Sequence, residues 1–207
     1  MNIIVKPYGS DLCYCRPDTT WERENKDFYS PECVNEIYWT PVVFARVSKA
    51  GKCVGRKFVE RYYDGIGCGM LMYCSTSGSE ENTDTTSIDI RSLSEVVDKS
   101  SILPHPLFQP VVLEDAKEFT VSATEASSGC NTDASVILSD SPVILSGAKD
   151  LLEEAICNAS QLTSLRIGDF VAVELATPAK LAKRENGEVT IKGTFCENEI
   201  FAFKIIF

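Results

Sequence analysis

Nine cysteines and one histidine are the residues of this chain best suited to nucleophilic or metal chemistry. The cysteines stand at positions 13, 15, 33, 53, 68, 74, 130, 157 and 196. A structural zinc site wants CxxC-type pairs with partners. Only Cys13-Tyr14-Cys15 is close, and Cys68 and Cys74 lie six apart. An odd number of scattered thiols, most of them in apolar strand-like runs, reads as reduced and buried in a cytoplasmic protein rather than as a disulfide framework. A lone His excludes a His pair or a three-His zinc site. His105 lies between Pro104 and Pro106, and a structural histidine is the simpler reading of it than half of a Cys/His dyad. There is no phosphate loop of the G-x-x-x-x-G-K-[ST] type and no G-x-S-x-G nucleophile elbow. Gly65-Ile66-Gly67-Cys68-Gly69 fails the dinucleotide spacing because Met stands at position 70. Its glycines are better read as room for close packing within a strand.

The acids are more numerous than the bases. Among 207 residues, 20 Lys and Arg face 30 Asp and Glu, a net charge of −10. That balance excludes a nucleic-acid binder, which needs a basic face, and any attraction to an anionic membrane surface. No stretch approaches 18 apolar residues, so no membrane span is expected. The N-terminus, MNIIVKPYGSDLCYC, lacks the basic and apolar regions of a signal peptide. With 44% apolar and 24% charged residues, the composition is that of a globular protein with a sizeable core. The acids gather in polar runs at 22–27, 80–84 and 197–199, where they serve solubility.

The elements that must position any site are mostly strands. Residues 1–35 read as an irregular N-terminal segment. EIYWTPVVFARV (36–47) is rich in β-branched and aromatic residues and predicts a strand, which Pro41 would place at an edge or split. One or two extended segments follow within 53–74. Ser87 to Lys99 has helical apolar spacing. FTVSATEA (119–126) alternates as a strand, and SSGCNTDAS (127–135) is a turn-rich link. Ser146 is placed to cap a helix over Lys149–Gln161, with Leu151, Leu152, Ala155, Ile156 and Ala159 on one side. LRIGDFVAVEL (165–175) predicts a turn and a strand. Glu188–Lys192 and Ile200–Phe207 are two strands joined by a turn near Glu197-Asn198. The sum is a single α+β, mainly-β domain over 1–207, with two short helices.

A family resemblance appears on these elements. LRIGDFVAVELATP (165–178) resembles the "L-x-x-G-D-V-I-x-T-G-T-P" segment of the fumarylacetoacetate hydrolase superfamily. EVTIKGTFCENEIFAFKI (188–205) resembles its "V-x-x-E-I-x-G-L-G-x-L-x-N-x-V". Gly129-Cys130-Asn131-Thr132-Asp133 resembles its "G-x-T-x-D-M" turn, Lys6-Pro7 its "L-K-P", and Arg61-Tyr62-Tyr63-Asp64-Gly65 its "D-Y-V-x-G-Y". The resemblance implies a mixed β-roll and a homodimer. It implies hydrolysis, decarboxylation or isomerisation of acylpyruvate-like 2-oxo acids with Mg²⁺ or Mn²⁺. In that family two glutamates of an "E-x-E" strand and an aspartate of a neighbouring strand hold the metal. Residues i and i+2 of a strand share a face, and hard divalent cations want such oxygens.

Carried onto this sequence, the two glutamate positions hold Ile37 and Trp39, and the aspartate position falls at or near Leu71. The family's "G-R-N-Y-A" segment and its lid have no counterpart here. Three lost carboxylates imply no metal cofactor and no metal-dependent catalysis. What remains is a residual cleft near Lys6, Tyr8, Tyr73 and Thr177, with Trp39 beside it. An aromatic wall and one cation there suit a small carboxylate ligand. The alternative is an active Mg²⁺- or Mn²⁺-dependent hydrolase or isomerase with relocated ligands, Glu32, Glu36 and Asp64. The pairs Glu22/Glu24 and Glu197/Glu199 are simpler as solvated surface.

Overall fold

The computed structural model describes residues 1–76, 97–113, 118–125, 136–145 and 147–207. In chain order its strands are β1 (Asn2–Lys6), β2 (Tyr14–Pro17), β3 (Trp21–Glu22), β4 (Phe28–Tyr29), β5 (Glu36–Val47), β6 (Tyr63–Ser75), β7 (Ser101–Ile102), β8 (Glu118–Glu125), β9 (Val136–Ile144), β10 (Phe170–Glu174), β11 (Ala179–Lys183), β12 (Glu188–Phe195) and β13 (Asn198–Ile206). One α-helix among the described residues, α1 (Ala148–Leu162), precedes β10.

The first sheet runs β2-β1-β10-β5-β6-β7-β3, with β11 also paired to β5. The second runs β4-β13-β12-β8-β9. Pairing is antiparallel except at β1–β10, β3–β7 and β4–β13. The architecture is α+β and mainly β, as the sequence predicts.

Strand alternation divides the first sheet into two buried faces. Ile37, Trp39, Val43, Met70, Met72 and Cys74 point outward into a large core shared with the second sheet and α1. Val42, Phe44, Leu71, Tyr73, Phe170 and Ala172 point inward into a smaller core. The inner face is concave, because the sheet curls until its two ends meet. Arg16 of β2 donates to the Met72 and Ser100 carbonyls and to the Ser101 hydroxyl across that face. Thr20 and Ser101 share a hydrogen bond of 3.0 Å there. The sheet is thus a nearly closed roll, latched by a fully buried arginine.

Several expectations are corrected. Residues 1–35 are not an irregular segment. They supply β1–β4 to both sheets, and several of their polar residues (Lys6, Arg16, Glu22) are strand members buried in the fold. Pro41 neither breaks β5 nor sits on an edge. β10 pairs with residues 42–46 and β11 with residues 36–39, so the missing N–H of Pro41 falls where neighbouring strands change over. Leu151 is 42% exposed rather than on the buried side of α1. Gly147, with φ of 76°, is the residue that precedes α1; Ser146, the first expected helix up to residue 96, and the 127–135 link lie outside the described residues. The last hairpin forms, with strands longer than expected and its turn one residue earlier, at Cys196-Glu197. Its two turn residues, Cys196 and Glu197, both have positive φ, the handedness that matches the twist of tight hairpins. Gly69 bears out the close-packing reading, since a Cβ there would collide with the Ile102 carbonyl oxygen.

Candidate functional site

β1 and β10 are a parallel pair near one end of the first sheet, and their carboxyl ends open side by side. After Lys6 the chain turns through Pro7–Ser10, with the Ser10 N–H donating to the Pro7 carbonyl and Gly9 at φ of 69°. Only a residue without Cβ adopts that conformation readily. After Glu174 the chain leaves β10 toward β11. α1 crosses beside both ends. The gap between them is a cleft of about 370 Å³, lined chiefly by Lys6, Tyr8, Asp11, Leu151, Glu154 and Glu174.

Glu174 forms its floor. It ends a run of apolar strand residues and is 2% exposed. Its Oε1 accepts from the Tyr73 hydroxyl, and its Oε2 accepts from the Tyr8 backbone N–H at 3.0 Å. Tyr73 in turn shares a hydrogen bond of 2.7 Å with Tyr14. The Arg16 guanidinium lies 4.7 Å from the centre of the Tyr73 ring. Burial pushes the Tyr73 hydroxyl far above its usual range, so it remains a proton donor. These four side chains make a polar line from the heart of the roll to the cleft. A buried carboxylate persists only with such partners.

Lys6 alternates to the helix side of β1 and meets Glu154 of α1 at 2.7 Å. That hydrogen bond and its charge hold the Glu154 carboxyl below the usual range. The cation at the mouth of the cleft is therefore matched by an acid from the helix.

The sequence-derived residues are only partly brought together. Lys6 and Tyr8 line the cleft, and Tyr73 stands behind it through Glu174. Thr177 is exposed and does not line it. Trp39 lies on the other face of the sheet. Ile37 and Trp39 are opposite Cys74 and Met72 and point outward, whereas Leu71 is opposite Thr40 and points inward. The three positions therefore share no pocket. The relocated-ligand set does not converge either. Glu36 is paired with Lys180 at 2.5 Å and accepts from Tyr38 at 2.9 Å. Asp64 is gripped by both ends of the Arg46 fork. Glu36 sits opposite Ser75, so about 11 residues of β6 separate it from Asp64, roughly 35 Å at about 3.3 Å per residue. Ligand oxygens must lie within about 2.0–2.6 Å of such an ion. Glu32 is exposed in a loop.

Among the described residues, no group of three His, Cys, Asp or Glu side chains is placed to hold a metal ion. Mg²⁺ and Mn²⁺ do not fit the donor set found at the positions the resemblance marks.

A second hollow of about 210 Å³ is bordered by Cys68, His105, Phe108, Asn198 and Glu199. Burial pushes the Cys68 thiol far up, and burial with Arg23 and Arg46 nearby lowers the His105 imidazole. A protonated thiol beside a weak base is no nucleophile. His105 packs edge-on against Trp21 at 5.6 Å, a structural placement.

Sequence reasoning missed Glu174, Glu154, Tyr14 and Arg16. The signal for Glu174 was present as one acid closing the strand FVAVE. The others needed the curl of the sheet and the seating of α1.

By sequence the chain matches no protein-family model and no curated protein. By structure it superposes on a fumarylacetoacetate hydrolase family protein from Yersinia pestis CO92 with a TM-score of 0.65 at 12% identity, over 99% of this chain and 92% of that one. It superposes on 5-carboxymethyl-2-hydroxymuconate delta-isomerase from Mycobacterium smegmatis with a TM-score of 0.69 at 11% identity, over 99% and 78%. The chain has the fumarylacetoacetate hydrolase fold. Fumarylpyruvate hydrolase from Pseudomonas aeruginosa, solved with Mn²⁺ and pyruvate, shares this fold with a TM-score of 0.65 at 13% identity, over 100% and 89%. On this fumarylacetoacetate hydrolase fold, the chain keeps the roll and the strand order while its outward side chains on β5 and β6 are apolar packing.

Proposed function

We propose that this chain is a non-catalytic protein on the fumarylacetoacetate hydrolase fold that binds a small molecule in the cleft between the β1–β2 turn and α1. One observation carries the reading. Of the acids offered as metal ligands, Glu36 and Asp64 are each paired with a separate cation, while four polar side chains of the roll run to one cleft. Pockets with a few convergent polar groups on an apolar lining are the usual form of a ligand site. In this reading the protein uses no metal cofactor and acts in the cytosol as a homodimer. Among the described residues only Cys68 and Cys74 are buried cysteines, against the expectation for most of them. Cys15, Cys33 and Cys53 are exposed thiols outside any disulfide, which supports a reducing compartment. A dimer predicts twice the chain mass in light scattering.

Thermal unfolding with Mg²⁺ and Mn²⁺, together with assays on acetylpyruvate and oxaloacetate, tests the proposal. The expected result is an unchanged melting temperature and no turnover. A resident metal at 100 times its Kd would add about 2.7 kcal/mol, a rise of roughly 5 °C or more for a chain this size. Such a rise with turnover overturns the proposal.

A further inference from the structure

The charge of the cleft is opposite to what a 2-oxo acid needs. Among its lining residues, one cation, Lys6, faces three carboxylates, Asp11, Glu154 and Glu174. Lys6 is already matched. Its side chain is 10% exposed and its ammonium lies 2.7 Å from Glu154. The other nearby cation, Arg16, is fully buried behind Tyr73, and its donors are directed to Met72, Ser100 and Ser101. It holds charge near Glu174 without reaching the cleft. An entering carboxylate would have to displace Glu154 from Lys6 and then lie beside Glu174 and Asp11. Like charges held together out of water repel strongly.

We propose that this cleft takes a small organic ammonium ion, a primary amine on a short apolar body. The inference rests on the cleft being a ligand site, as proposed above. Glu174 presents a carboxylate fixed from two sides by Tyr73 and the Tyr8 N–H. A carboxylate has about four acceptor sites, so an ammonium N–H joins those donors with a charge-assisted bond. Tyr8 is 54% exposed at the mouth, and its ring face attracts a cation. Leu151, Val173 and Leu175 border the same space and receive the apolar body. These walls favour an organic cation over a bare metal ion, which wants oxygen on all sides.

The test is titration calorimetry at pH 7 with n-butylamine, n-butyrate and pyruvate as probes. Butylamine is expected to bind about tenfold or more tightly than either acid, the ratio of one charge-assisted hydrogen bond. Glu174→Gln keeps an acceptor for Tyr8 and should weaken butylamine about tenfold. Glu154→Gln changes a half-exposed side chain and frees Lys6, so it should raise butyrate affinity while lowering that of butylamine. If either acid binds wild type as tightly as the amine, the ammonium assignment is overturned and the cleft stands as a ligand site. If none of the three binds at about 20 mM, a concentration that detects even millimolar Kd, both readings fall.

Discussion

The two faces of the first sheet are built from the same strands yet do opposite work. On the outer face, Ile37, Trp39, Met70, Met72 and Cys74 are buried members of the large apolar core. On the inner face, the same β6 contributes Tyr73 to a chain of polar contacts that includes Arg16, Tyr14 and Glu174. Apolar burial is tolerant of exchange among residues of similar volume. A buried polar line is not, because each member satisfies the next. The comparison teaches where chemistry can remain on this fold. One face is packing, and the other holds orientation and charge up to the rim of a cleft.

The sharpest way to break the comparison is to return carboxylates to the outer face. Ile37→Glu combined with Trp39→Glu places two acids where the side chains are 0% and 3% exposed. Several kcal/mol per buried ion exceeds what a marginally stable domain tolerates, so the double variant is expected to be insoluble or unfolded by circular dichroism. A folded variant that binds Mn²⁺ would show that the outer face is a dormant metal site. Next in size, Arg16→Met removes the latch of the roll and takes its N–H donors from the Met72 carbonyl and the Ser101 hydroxyl. The expected loss is about 3–5 kcal/mol in urea unfolding, with weaker ligand binding. A loss under about 1 kcal/mol would mean the roll closes without its arginine.

The smallest effect concerns the Lys6–Glu154 pair. The folded Glu154 carboxyl lies below its usual range, chiefly through the Lys6 hydrogen bond. Its contribution is therefore present above the unfolded carboxylate pKa and is lost as pH falls through the depressed value. Glu154 is half-exposed, so the contribution is about 0–1 kcal/mol. Wild type and Glu154→Gln should thus differ in stability near pH 6 and converge near pH 3. A gap that persists at pH 3 would assign the effect to packing instead.

Much of this architecture was legible in the residues. The β12–β13 hairpin and the span of α1 follow from local pattern, where each residue's neighbours are near in sequence. Pro41 misled because its effect depends on two later strands, β10 and β11, and on the gap between them. The site was legible only in part. Lys6 and Tyr8 were found through the resemblance of Lys6-Pro7 to the family's L-K-P. Glu174 closes the apolar strand FVAVE and is buried. Its burial depends on Tyr73, about 100 residues earlier. The parity of Leu71 against Ile37 and Trp39 is a matter of register across two strands, and an error of one residue there reverses the face.

The position of β10 between β1 and β5 governs how the chain can assemble. β1 and β2 emerge first but have no place in the sheet until residues 170–174 are inserted beside them. The roll is like a barrel whose last stave arrives near the end of manufacture. Such distant pairing slows folding. A product that stops before residue 170 would leave β1 and β5 as open edges, ready to pair with other chains.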